Sequence, residues 1–119
     1  MSSPGFALKA SQVEIKDHPS DPKKFVVEKN DPFWVSKMKH EVAEWFCKRN
    51  HQHAVTPPCF TVRFDKDGTP FASDTFVSDG NGYARSDEIV VEPSETTIYH
   101  YRVQAHGKND LDPGGGVKG

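Results

Sequence analysis

The sequence predicts an all-β domain, an antiparallel sandwich of about seven strands over residues 12–113, from three observations. Twelve Val stand against two Leu, and Val packs well on a pleated sheet while losing rotamer freedom in a helix. Eight Phe, three Tyr and six Thr weigh in the same direction. Nine Pro and nine Gly punctuate the chain at the spacing of short strands and turns. With 119 residues there is room for one domain, and Leu, Ile, Val and Phe make up only about a fifth of it. The core is therefore thin.

The elements follow in order. Residues 11–16 make a first strand, with Val13 and Ile15 on one face. His18-Pro19-Ser20-Asp21-Pro22 is a loop, since Pro lacks the ladder donor and restrains its predecessor. A second strand, 23–29, centres on Phe25-Val26-Val27 and stops at the turn Asn30-Asp31-Pro32. Residues 59–64 alternate, placing Phe60, Val62 and Phe64 inward and Thr61 and Arg63 outward. Asp65-Lys66-Asp67-Gly68 closes a hairpin, Gly68 supplying positive φ, and 71–77 returns. Asp79-Gly80-Asn81-Gly82 is a second turn. Residues 88–92 read as a strand ended by Pro93. The longest strand signal is 96–105, with Thr97, Tyr99, Tyr101 and Val103 on one side and Ile98, His100 and Arg102 on the other.

Residues 36–49 read two ways. Met38, Val42, Trp45 and Phe46 have helical spacing, with Ser36 as an N-cap. The same stretch reads as a strand with Ala43, Trp45 and Cys47 on one face and Val42, Glu44 and Phe46 on the other. The β-rich surroundings favour a central strand whose Trp45 fills the gap between two sheets, as in immunoglobulin-like sandwiches.

The second half carries Asp74-Thr75-Phe76, Asp79-Gly80-Asn81-Gly82, Val91-Glu92-Pro93, Tyr99-His100-Tyr101-Arg102-Val103 and Asp112-Pro113. Over residues 60–113 these resemble the DP-EP family of uncharacterised bacterial proteins. The resemblance implies an immunoglobulin-like sandwich of seven strands in Greek-key order, and it brings no catalytic residue. Beyond Asp112-Pro113 only Val117 stands among glycines, so 114–119 reads as a flexible Gly-rich tail, with 1–11 an N-terminal extension.

The charge of −2, with 15 basic and 17 acidic residues well mixed, offers no footprint for nucleic acid or anionic lipid. No apolar run approaches the roughly 18 residues of a membrane span. The N-terminus has no secretory pattern, so the expected compartment is the cytoplasm, with two reduced cysteines.

The sharpest chemical cluster is Cys47-x3-His51-x-His53-x5-Cys59, whose thiolates and imidazoles are ligands that zinc and copper prefer. Its spacing departs from the common paired-ligand patterns, and solvated loop histidines beside strand cysteines are the ordinary reading. Asp65-x-Asp67-Gly68 and Asp79-Gly80-Asn81-Gly82 are too short for a calcium cage and fit turn chemistry. His100 has no identifiable nucleophile beside it. Glu41 with Glu44, and Glu92 with Glu95, are carboxylate pairs in name only, and Gly114-Gly115-Gly116 opens no phosphate loop.

No catalytic, cofactor-binding or metal residue is assigned. The expected function is a small non-catalytic module acting by surface contact with a protein partner or with itself. The alternatives are a metal-binding protein using Cys47, His51, His53 and Cys59, and a small enzyme with a cleft at the loop end. Period-two alternation places Cys47 beside Trp45 in the core and Cys59 outward, opposite to Phe60. On that reading the two thiols neither bridge nor share a metal, and only Cys59 reacts readily.

Overall fold

The computed structural model describes residues 10–47, 58–65, 68–105 and 110–119. They form an all-β sandwich of nine strands: β1 (Ala10–Asp17), β2 (Phe25–Lys29), β3 (Phe33–Ser36), β4 (Val42–Cys47), β5 (Thr61–Phe64), β6 (Thr75–Val77), β7 (Tyr83–Arg85), β8 (Tyr99–Gln104) and β9 (Gly114–Lys118). One sheet has the order β2-β1-β4-β7 and the other β3-β9-β8-β5-β6. Among the described residues no helix is long and apolar enough to cross a membrane.

Both sheets are mixed rather than antiparallel. β1 runs parallel to β4 in a six-residue register from Ala10↔Val42 to Ile15↔Cys47. β3 runs parallel to β9, Phe33 facing Gly115 and Ser36 facing Lys118. The remaining pairs are antiparallel, and β1 is bulged at Glu14/Ile15 where it meets β2. Parallel neighbours need a long crossover, and between β1 and β4 the chain passes through β2 of the same sheet and β3 of the other.

Several expectations hold. Residues 42–47 are a strand, and Trp45 is fully buried between the sheets. Val13, Ile15, Phe60, Val62, Phe64, Tyr101 and Val103 all point into the core. Gly68 has φ 117°, and its amide donates to the Asp65 carbonyl at 3.0 Å. Asp79 Oδ1 accepts from the Asn81 and Tyr83 amides at 2.8 and 3.1 Å, the side-chain turn expected of that sequence.

Three expectations are corrected, and the helical alternative for 36–49 falls away. Residues 114–119 are not a flexible tail, because Gly114–Lys118 is a buried strand between β3 and β8. Residues 88–92 form no strand; Ile89 makes a single bridge to Phe71 and Val90 faces solvent. The long signal at 96–105 shortens to β8, six residues. Ser36 caps no helix and instead ends β3, its hydroxyl donating to the Gly119 carbonyl at 2.9 Å.

The core is aromatic. Trp45 meets Phe33 at 5.8 Å, Phe76 at 5.9 Å, Phe64 at 6.3 Å and Tyr101 at 5.4 Å between ring centroids. Phe71 closes the cluster against Phe33, Phe64 and Phe76. Such edge-to-face and offset contacts add about 0.5–1.5 kcal/mol per pair beyond buried area.

The glycines of β9 exist because rings lie on them. A Cβ on Gly115 would fall 2.1 Å from the Phe33 ring, and one on Gly116 would fall 2.3 Å from the Trp34 ring. Phe33 is itself wedged against Trp45, Phe71 and Tyr101, so it has no room to yield. Gly115→Ala should cost about 1–3 kcal/mol in urea unfolding, the range for overpacking a filled core. Gly119→Ala, whose added methyl meets nothing within 4 Å, is the control.

Among the described residues three serines are buried, and each accepts from a backbone amide. Ser86 Oγ takes the Ala43 amide at 2.9 Å, Ser78 Oγ the Phe60 amide at 3.0 Å and Ser36 Oγ the Lys39 amide at 3.2 Å. Ser86→Ala and Ser78→Ala should each lower unfolding free energy by about 1–3 kcal/mol, because a buried donor is left without an acceptor. Loss under about 0.5 kcal/mol in both would show that the amides find other partners.

Burial pushes the Tyr101 phenol well above its ordinary value, the Trp45 indole N–H opposing the shift and the Asp31 carboxylate adding to it. Neither Tyr101 Oη nor Trp45 Nε1 completes a hydrogen bond. The neutral phenol favours the folded state fully below about pH 10; above that the unfolded chain releases the proton first and stability falls. Tyr101→Phe should make this alkaline decline shallower and stay within about 1 kcal/mol of the parent at neutral pH. An equally steep alkaline limb in the variant would contradict the assignment.

Candidate functional site

Two features hold chemistry, and β4 connects them. At its start, the turn from β3 runs through Lys37 to Glu41, with the His40 amide donating to the Lys37 carbonyl at 3.1 Å. His40 adopts φ 55°, a left-handed conformation uncommon for a side-chain-bearing residue. This turn and residues 88–89 enclose a cavity of about 400 Å³ lined by Lys37, His40, Glu41, Val42, Glu88 and Ile89. The size suits a small molecule, with Val42 and Ile89 supplying apolar wall and the rest supplying charge.

Two of the charged groups have other commitments. Glu41 Oε1 accepts the Ser36 amide at 2.7 Å. Lys37 Nζ lies 3.5 Å from Glu92 Oε1, a carboxylate almost wholly in solvent. The lining offers no hydroxyl or thiol, so acyl transfer through such a nucleophile has no attacking atom there.

At the other end of β4 lies Cys47. The Cys59 thiol donates to its sulfur at 3.1 Å, and the two residues are equally covered, each 8% exposed. They are thiols and not a disulfide. This overturns the expectation of one inward and one outward cysteine. β5 begins at Thr61, so Cys59 belongs to the turn before it and not to its alternation. Cys59 and Phe60 are consequently buried one after the other. His51 and His53 lie outside the described residues.

The other candidates are dispersed. His100 is exposed on β8, and its carbonyl accepts the Asp65 amide at 3.1 Å. Asp65 sits 3.2 Å from Arg102, while Asp67 lies outside the described residues. Glu44 accepts from Gln12 at 2.9 Å on the outer face of its sheet, away from Glu41. Glu92 meets Lys37, and Glu95 is exposed. Lys37, His40 and Glu88 were not singled out by sequence, and no local pattern joins a turn at 37–42 to a bridge at 88–89. Comparison with known proteins finds no matching family model, no matching curated protein and no matching solved structure.

Proposed function

We propose that the chain is a small non-catalytic β-sandwich module that acts by surface contact, with a protein partner or a second copy, along the open edge of β2. The observation that carries this reading is the inequality of the four sheet edges among the described residues. β2 offers five residues, against four in β3 and three each in β6 and β7. β3 also has its Ser36 amide already bonded to Glu41. Short edges are the usual defence against strand addition, and β2 is the least defended, with half-buried Val26 and Val27 beside its backbone. Added strands gain affinity from main-chain hydrogen bonds and specificity from alternate side chains.

The finer fold fits the same reading. β4 pairs with β7 in one sheet and β5 with β8 in the other, while the β4–β5 and β7–β8 connections cross between sheets. That interlocking supports an immunoglobulin-like arrangement akin to the DP-EP family, with the β1–β2 hairpin added beside β4. Two unbridged thiols in contact are in keeping with a reducing, cytoplasmic setting.

A second reading, a metal-binding protein using Cys47, His51, His53 and Cys59, gains from the adjoining sulfurs of Cys47 and Cys59. Those supply two soft ligands.

Sedimentation over a wide concentration range tests the leading reading. Weight-average mass should rise with concentration for the parent and stay monomeric for Val26→Lys, a charge placed on the edge. A strict monomer that also ignores a peptide copying residues 23–31 would refute it.

A further inference from the structure

We infer that Cys47 and Cys59 form a redox-active pair that closes a reversible disulfide between the two sheets on exposure to a hydroperoxide. The sulfurs are 3.1 Å apart and in contact, about 1 Å beyond the length of an S–S bond. Cys47 ends β4 in one sheet, and Cys59 precedes β5 in the other. The bond would therefore staple sheet to sheet across the β4–β5 connection. Both residues belong to the buried hydrophobic core, and within it each meets the sulfur of the other.

The covering of the pair selects the oxidant. Each cysteine exposes only 8% of its surface, so a small neutral hydroperoxide reaches the sulfurs more readily than a bulky or charged disulfide reagent. One thiolate attacks the peroxide oxygen, the O–O bond breaks, and the sulfur becomes a sulfenic acid with release of water. The second sulfur then attacks the first, the S–O bond breaks, an S–S bond forms and a second water leaves. In sum, two thiols and hydrogen peroxide give one disulfide and two waters, the two electrons passing from sulfur to peroxide oxygen. A dithiol reductant reverses the bond by exchange.

The chain carries its own means of reading the result. Trypsin cuts after Lys39, Lys48, Arg49 and Arg63, which places Cys47 in peptide 40–48 and Cys59 in peptide 50–63. The native protein is treated with hydrogen peroxide, the remaining thiols are alkylated, and the digest is analysed by mass spectrometry without reduction. The expected result is a linked 40–48/50–63 pair from protein that migrates as a monomer. Its intact mass falls by two hydrogen atoms, both thiols vanish together, and a dithiol reductant restores both. In Cys59→Ser, peroxide should instead leave a sulfenic acid on Cys47 that a dione reagent traps. Should that variant fail to fold, the peptide map of the parent protein decides alone.

Three results would overturn the inference. One is accumulation of sulfinic or sulfonic acid on either cysteine while the other stays alkylatable. Another is linkage between chains only. The third is a bound zinc ion, retained by the purified protein, that protects both thiols until a chelator removes it.

Discussion

The sandwich depends on Trp45 reaching across from one sheet into an aromatic surface built by the other. Phe33, Phe64, Phe76 and Tyr101 come from β3, β5, β6 and β8, and each lies within about 6.3 Å of the indole. The chain has little Leu or Ile with which to fill a layer about 10 Å thick, so rings take the volume instead. The same choice carries two polar atoms inside. Trp45 Nε1 and Tyr101 Oη are the cost of using indole and phenol as packing material, and their ring contacts offset it.

That constraint reaches the end of the chain through Phe33. Its ring belongs to the cluster and also forms the roof over Gly115. A strand of three consecutive glycines has no side chains to pack and high conformational entropy to lose, so on its own it would be a poor strand. Between β3 and β8 it receives side chains from its neighbours: Phe33 over Gly115, Trp34 over Gly116 and Ile98 against Gly114. Asp31 adds a hydrogen bond to the Gly114 amide at 3.1 Å. The glycines permit β3 and β8 to bring their bulk inward without collision, and Val117 closes the layer as an ordinary buried residue.

What the sequence made legible was the set of residues whose own side chains report their surroundings. Val13 and Ile15, the Phe60-Val62-Phe64 alternation, Tyr101 with Val103, and the Asp79 turn each carry their cause within a few residues. Trp45 was legible as an inter-sheet ring because only a strand gives it a partner on both sides. β9 was illegible because its signal lies on β3, eighty residues earlier in the chain, as the pairing Phe33↔Gly115 makes plain. The parallel pairing of β1 with β4 leaves no local periodicity, since register is a relation between distant segments. Cys59 is misplaced when β5 is extended two residues too far back; alternation applies within the ladder, and the ladder begins at Thr61. The cavity at Lys37 and Glu88 combines both difficulties, a positive-φ turn and a contact remote in sequence.

The two chemical features stand at opposite ends of one strand. Val42 lines the cavity and Cys47 carries the thiol, five residues apart, or roughly 17 Å along an extended chain. Between them Trp45 is held on several sides by rings whose positions are fixed by both sheets. A close-packed plug of this kind has one arrangement, and coupling between distant sites requires an element with two. A disulfide between Cys47 and Cys59 would act at that end of β4, between the two sheets. The cavity, the edge of β2 and the sulfur pair occupy separate parts of the sandwich, so each is open to its own substitution.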